Sequence, residues 1–405
     1  MHQRSVVKVG ASLLIASLAL SACGSRNNAS TTTSSGNKTV TLGVMAPLSG
    51  DLSALGLGIQ HSVELAVKEA NANNAIPGWT LKVKALDDEA KPDIGKNAAT
   101  SFAGDASVGG VVGNLNSSVS QSTQPVLSTA KIVQVSPANT NPTLTKGKDW
   151  KTAPVRTYPT YFRTVTTDAV QGPFAARYLF TTLGIKKVAT IHDKKTYGQG
   201  LVTEFTQEFT KLGGTITAAE TINPDESNYQ SVISKVKPTG PLAVYYGGEY
   251  PQAGPLSQQM KAAGLNVPLM GGDGIYDPKF IELAGATANG DLATNPGAPT
   301  ATAVSAKKFV AAYTAAGYKD PYGAYGAFSY DAANAIIAAL KVSLANAKDV
   351  ASARQATVDA MSKVSFEGAN GPVAFDKYGD TTGRILTVYK VTNLKWVPVL
   401  TQNVK

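Results

Sequence analysis

Residues 108–142 constrain what this chain can fold into more than any other stretch. A short apolar run over 108–112 stops at Gly113 and is followed by Asn114, Leu115, Asn116, Ser117 and Ser118. A helical pattern then carries the chain to Ala130, a second apolar run occupies 132–135, and a second polar corner follows at 136–140. Strand, helix and strand in this order read as a parallel crossover. Parallel strands of an open α/β sheet deliver their small polar residues to one carboxyl edge, which is where such sheets hold ligands. The two polar corners therefore face one crevice.

The residue types say what that crevice offers. Ser117 and Ser118 stand where a strand passes into a helix, so their hydroxyls and the free N–H groups of the first turn can converge on an anion such as a small carboxylate. Capping of the helix by Ser is the competing reading.

The same grammar runs along most of the chain. Strands over 39–45 and 81–86 and helices around 59–70 and 93–103 precede the central stretch, and a strand over 162–165 follows it. Helices over 171–183, 200–212, 229–236 and 252–263 then alternate with strands over 187–191, 215–222, 242–246 and 268–270. Such alternation predicts an α/β fold with two doubly wound parallel sheets, one per lobe. Helices over 302–316, 327–346 and 351–363 have no strands between them, so they are expected to pack on a sheet already built, with the chain crossing between lobes more than once. Two strands, 385–391 and 396–400, close the chain.

With 405 residues the chain suits two domains, each able to bury a core. The formal charge of +9 comes from lysines scattered among acidic neighbours. Nucleic-acid binding wants a clustered basic patch, so it is not expected.

The N-terminus has a different character. Arg4 and Lys8 lead into an apolar run over 9–20, too short to span a bilayer and suited to a secretory signal. Leu20-Ser21-Ala22-Cys23 follows, and Cys23 is the only cysteine, so no internal disulfide can form. This resembles the lipobox of bacterial lipoproteins, which implies a signal peptide over 1–22, lipid on Cys23 and a polar flexible tether over 23–38. The body is then expected outside the cell's cytoplasmic membrane, held to its outer face by lipid.

Short motifs spread over the body carry a wider resemblance. Pro47-Leu48-Ser49-Gly50, Ser122-Thr123-Gln124-Pro125, Ser136-Pro137-Ala138, Gln171-Gly172-Pro173, His192-Asp193-Lys194 with Tyr197-Gly198, Tyr245-Tyr246-Gly247-Gly248, Gly271-Gly272-Asp273-Gly274 and Gly371-Pro372 with Phe375-Asp376 occur in this order. Over residues 40–400 the chain resembles the leucine/isoleucine/valine-binding family of ABC-transporter solute-binding proteins. That resemblance implies lobes of residues 39–166 with 296–378 and 167–295 with 379–405, joined by three crossings with a ligand between them. It also implies that Ser117 binds a ligand carboxylate, that Thr140 touches both carboxylate and ammonium, and that the Ala138 carbonyl accepts from the ammonium. Asp273 would pair with the ammonium, Tyr197 would cover the ligand from the second lobe, and Tyr325 would lie near its side chain or in the core.

The chain also departs from that pattern. Leu55 stands before Gly56 where the family's branched-chain members place an aromatic, Ala90 and Asn116 replace a frequent disulfide, and Glu249 replaces a frequent aromatic. Leu55, Leu115 and Asn116 are thus expected around the side-chain end of the pocket, and Glu249 either in its wall or paired to a neighbouring lysine outside it. The expected ligand is leucine, isoleucine or valine, with a polar amino acid or an amide as the alternative. The expected partners are ABC permease subunits, a sensing receptor being the other possibility, and the body is expected to be a monomer.

An enzyme is not expected. His2, His61 and His192 lack metal-ligand spacing, and neither a phosphate loop nor a dinucleotide fingerprint is present, so no metal or cofactor is expected.

Overall fold

The computed structural model of the protein describes residues 38–404. The signal-like run and Cys23 lie outside the described residues. The chain opens with β1 (Lys38–Ala46), α1 (Ser53–Ala72), β2 (Trp79–Asp87), α2 (Pro92–Gly104), β3 (Val108–Gly113), α3 (Ser117–Thr129), β4 (Val133–Ser136), α4 (Thr143–Lys146) and β5 (Tyr161–Arg163). All five strands are parallel, in the order β2-β1-β3-β4-β5. The order reverses between β1 and β3, so the crevice beyond their carboxyl ends is where a ligand belongs.

A second sheet follows with the same plan. Its elements are α5 (Asp168–Arg177), β6 (Lys187–His192), α6 (Thr196–Lys211), β7 (Thr215–Thr221), α7 (Gln230–Val236), β8 (Ala243–Gly247), α8 (Tyr250–Ala262), β9 (Leu269–Gly271), α9 (Pro278–Ala284) and β10 (Leu292–Pro296). The chain continues through α10 (Lys307–Ala316), α11 (Gly326–Ser343), α12 (Val350–Met361), the hairpin β11 (Ser365–Gly368) and β12 (Gly371–Ala374), then β13 (Ile385–Thr392) and β14 (Lys395–Asn403). The sheet order is β14-β13-β10-β9-β8-β6-β7. Its first five strands in sequence repeat the arrangement of the first sheet, with the reversal between β6 and β8.

Two features differ from the sequence expectation. The second sheet is mixed rather than wholly parallel, because β13 runs antiparallel to β10 and β14 antiparallel to β13. Asn393 and Leu394, at φ 51° and 57°, turn the chain in two residues, which suits the tight hairpin that antiparallel strands require. Strand β10 and the β11–β12 hairpin were not expected; Leu-Ala-Thr-Asn-Pro carries little β-branched character and ends in Pro, a weak strand signal.

Helices cover both faces of the first sheet. Ile59, Val63 and Ala66 of α1 lie in one buried cluster with Ile336 and Leu340 of α11. Ala99 and Phe102 of α2 pack with Met45, Val111 and Leu127 in another. At Gly110 a side chain would come within 2.6 Å of Ile336, so the bare backbone of β3 lets α11 lie close against it. Burial of α11 and α12 against β3 and β4 brings the chain back to the first sheet after β10, and it returns to the second sheet at β13.

A buried charge cluster stands where these passages converge. Arg163, the last residue of β5, is fully buried, and its Nε lies 2.8 Å from Asp380 Oδ1, while Lys146 Nζ lies 2.8 Å from Asp380 Oδ2. Arg163 Nη1 donates to the carbonyls of Asn139 (2.7 Å) and Asn141 (3.0 Å), and Nη2 donates to Thr145 Oγ1 at 2.7 Å. Burial alone would raise the Asp380 pKa, but the Arg163 and Lys146 charges outweigh it and hold the carboxyl below its ordinary range. Removing one partner of such a pair strands the other. Asp380→Asn is expected to cost about 3–5 kcal/mol in urea unfolding at neutral pH. Because the folded pKa is depressed, this contribution is present above the unfolded carboxyl pKa of about 3.9 and fades as pH falls through the folded value. The gap between wild type and variant should therefore narrow in acid.

Candidate functional site

The site lies between the carboxyl edges of the two sheets. Its first corner follows β3, where Gly113 sits at φ 137° and a Cβ would collide with the Met45 carbonyl, so only glycine fits the turn. Asn114, next in line, is fully buried. Its Nδ2 donates to Asp88 Oδ2 (2.8 Å), its Oδ1 accepts from Thr123 Oγ1 (2.9 Å) and Gln134 Nε2 (3.1 Å), and its carbonyl accepts from Ser136 Oγ (2.8 Å). Ser136 Oγ also accepts from Asn139 N at 2.9 Å, and Asn139 Nδ2 donates to the Leu115 carbonyl at 2.7 Å. The two polar corners are thus tied to each other by buried hydrogen bonds.

These ties leave particular groups free. Ser117 opens α3, is 2% exposed, and its hydroxyl has no partner in the protein. The capping alternative therefore does not describe it. Thr140 is fully buried, and its hydroxyl lies beside the Asp168 carboxyl without a hydrogen bond of ordinary geometry. Buried polar atoms are seldom left unmatched, so the free Ser117 hydroxyl at the N-terminus of α3 describes a place for an anion, while Thr140 stands at the start of α5 beside the Asp168 carboxyl.

The opposite pole is Asp273, 1% exposed, at the end of β9. Its Oδ1 accepts from Gln171 Nε2 (2.7 Å) and Tyr197 OH (2.9 Å), and its Oδ2 from Tyr325 OH (2.9 Å). Burial raises its pKa and the three donors oppose that shift. Between the poles lies a cavity of only about 10 Å³, lined by Leu55, Leu115, Asn116, Ser117, Ala138, Tyr197, Glu249, Asp273, Gly274 and Tyr325. That is room for about one water, so the walls of this closed crevice must part to admit a solute.

Most of the residues expected from the sequence therefore meet here. Thr140 lies behind the lining, and Ser118 is half-buried on the second position of α3, away from it. Glu249 both lines the cavity and pairs with a lysine: its Oε1 accepts from Asn116 Nδ2 at 2.8 Å and its Oε2 lies 3.0 Å from Lys195 Nζ. Asp193 beside this pair is fully buried and pushed up to about 8, first by burial and then by the Glu249 charge, with Lys195 opposing. Asp168, Gln171, Lys195 and Gly274 were not anticipated. The Gln171-Gly172-Pro173 motif pointed to the right helix without revealing which side chain reaches Asp273.

Hydrogen bonds across the crevice hold it shut. Besides Tyr325 to Asp273 and Asn116 to Glu249, Thr196 Oγ1 donates to Gln121 Oε1 (3.0 Å), Asn141 Nδ2 donates to the Thr196 carbonyl (2.8 Å), and Tyr250 OH donates to the Asp51 carbonyl. Among the described residues there is no group of three or more His, Cys, Asp or Glu able to hold a metal, and no helix is long and apolar enough to cross a membrane.

Two α/β lobes closed over a small cavity with an anion pole and a cation pole define a solute-binding protein. The sequence profile of the periplasmic binding protein family matches residues 39–395, and the chain belongs to that family. It is 33% identical over 342 residues to the Leu/Ile/Val-binding protein homolog 2 of Brucella abortus, covering 84% of this chain and 87% of that one. Among solved structures it resembles a leucine-binding protein of Thermotoga maritima (TM-score 0.79, 26% identity, 90% of this chain and 99% of that one). It also resembles a branched-chain amino acid transporter substrate-binding protein of Streptococcus pneumoniae in complex with isoleucine (TM-score 0.78, 26% identity, 89% and 100%).

The first corner also carries a titration. Asp88 is fully buried, and burial pushes its pKa up to about 6 despite the donors Asn114 and Ala90. With the folded pKa above the unfolded one, its favourable share is complete below about pH 4 and lost as pH rises through about 6, up to about 3 kcal/mol. Unfolding of Asp88→Asn, followed in urea across that window, should lack this share of the pH dependence.

Proposed function

We propose that the cavity takes a small α-amino acid, with leucine, isoleucine or valine as first candidates and a polar amino acid or an amide as the alternative. The observation that carries this reading is the pairing of poles. Asp273 answers an ammonium, while the hydroxyl of Ser117 at the N-terminus of α3, with that of Thr140 behind it at the start of α5, answers a carboxylate. Enclosing either end of a zwitterion without a partner costs several kcal/mol, so a site built for one must answer both. The Ala138 carbonyl is a second acceptor for the ammonium, Tyr197 and Tyr325 orient Asp273, and Leu55 and Leu115 bound the side chain. The names of the relatives support the aliphatic choice.

Residues 39–166 with 296–378 would form one lobe and residues 167–295 with 379–405 the other, closing over the ligand and delivering it, as a monomer, to the permease subunits of an ABC importer. Losing one partner of a buried charge pair costs about 2–5 kcal/mol. Asp273→Ala should therefore weaken binding of the best amino acid by roughly 30-fold or more in calorimetry. A panel of the twenty amino acids, simple amides and sugars, read by thermal shift, tests the class: stabilisation by a sugar alone, or undiminished binding in Asp273→Ala, would overturn it.

Placement is a separate proposal resting on Leu20-Ser21-Ala22-Cys23. Lipid on Cys23 would hold the body to the outer face of the cytoplasmic membrane. Cys23→Ser should then leave the folded protein in the soluble fraction, and a variant that still sediments with membranes would refute the anchor.

A further inference from the structure

The amino-acid reading uses the Ser117 and Thr140 hydroxyls and leaves one buried polar atom of a lining residue unexplained. Asn116 is 3% exposed and lines the cavity, and its Oδ1 has no hydrogen-bond partner. Its orientation follows from its neighbours. Glu249 Oε1 accepts from the Asn116 amide at 2.8 Å and Glu249 Oε2 faces Lys195 Nζ at 3.0 Å. A carboxylate can be met only by the NH₂ side of the amide, so Oδ1 is the atom left over. The lining that includes Leu55 and Leu115 thus also holds a fixed, buried acceptor.

An acceptor of this kind is satisfied by a donor on the ligand and penalised by a methyl group in the same place. Resting on the amino-acid reading of the site, we propose that Asn116 is a specificity-determining residue that accepts a hydrogen bond from the side chain of the ligand. Within the amino-acid reading this favours the polar alternative over the aliphatic first candidates: a short amino acid bearing a side-chain hydroxyl, the diagnostic pair being threonine and valine, which share a shape and differ by hydroxyl against methyl. Glu249 and Lys195 are positioning residues: they hold the amide so that its oxygen stays free.

Calorimetric titration of the folded protein with threonine and with valine tests this. Threonine should bind about 3- to 10-fold more tightly, the worth of one neutral hydrogen bond. Asn116→Leu should invert the ratio, because the hydroxyl is then buried without a partner, whereas Glu249→Gln, which can still accept from the Asn116 amide, should keep the preference for threonine. Valine binding as well as or better than threonine in the unaltered protein overturns the proposal without any variant having to fold. An unchanged ratio in Asn116→Leu overturns it equally. Binding of neither while another amino acid binds overturns the proposal and leaves the amino-acid reading standing; binding of neither while only a solute that is not an amino acid binds overturns the amino-acid reading itself.

Discussion

The guanidinium of Arg163 is buried completely at the end of β5, and a buried cation survives only if every direction it faces is answered. Its N–H groups go to the carbonyls of Asn139 and Asn141, to the Thr145 hydroxyl and to Asp380. The two carbonyls flank Thr140. A residue held on both sides by one planar, rigid group has little freedom to drift, so the second polar corner is fixed by a charge that never touches a solute. Asp380 comes from the segment that leads the chain back to β13, and the same ion pair therefore joins the corner to a passage between the sheets.

What could be read from the sequence was local and periodic. The alternation of strands and helices and the polar corners at 113–118 and 136–140 declare themselves through spacing or residue type, Asp273 between glycines is singled out only by the family resemblance, and the structure brings them to one crevice. What stayed hidden depends on distant partners. Asp168 reads as an ordinary acid in the first turn of a helix, yet it is fully buried beside Thr140 and its pKa is raised well above the usual range by burial and by Asp273. Lys195 reads as a surface lysine and instead faces Glu249, fifty-four residues away. The β10 strand hides for a different reason: its hydrogen bonds to β9 and β13 compensate for a sequence with weak strand preference.

Closure and solute capture are linked through the same unmatched groups. The hydrogen bonds across the crevice each contribute about 0.5–1.5 kcal/mol. Against them stand the hydroxyls of Ser117 and Thr140, each costing roughly 1–3 kcal/mol when buried without a partner. The balance is close. A solute that answers those hydroxyls and Asp273 turns penalties into bonds only when both sheets surround it, and this difference between open and closed affinity is what shifts the population. Asp273 accepts from Gln171 and Tyr197 on one side of the crevice and from Tyr325 on the other, so the group proposed to face an ammonium also helps join the two sides.

The two ends of the cavity are built to different tolerances. The near end is made of residues whose partners are themselves fully buried, from Asn114 through Ser136 to Arg163, so a substitution there propagates into both corners. The far end is the relay Asn116, Glu249 and Lys195, and the Lys195 side chain is 26% exposed, which connects the cavity wall to solvent. A chain of hydrogen bonds that terminates in water can be rewired at modest cost, because the last group can be satisfied by solvent whatever replaces it. On the proposed amino-acid reading, recognition of carboxylate and ammonium would thereby be insulated from recognition of the side chain: changes at Leu55, Asn116 and Glu249 would retune which solute fits while Asp273, Ser117 and Thr140 kept demanding the same two charges.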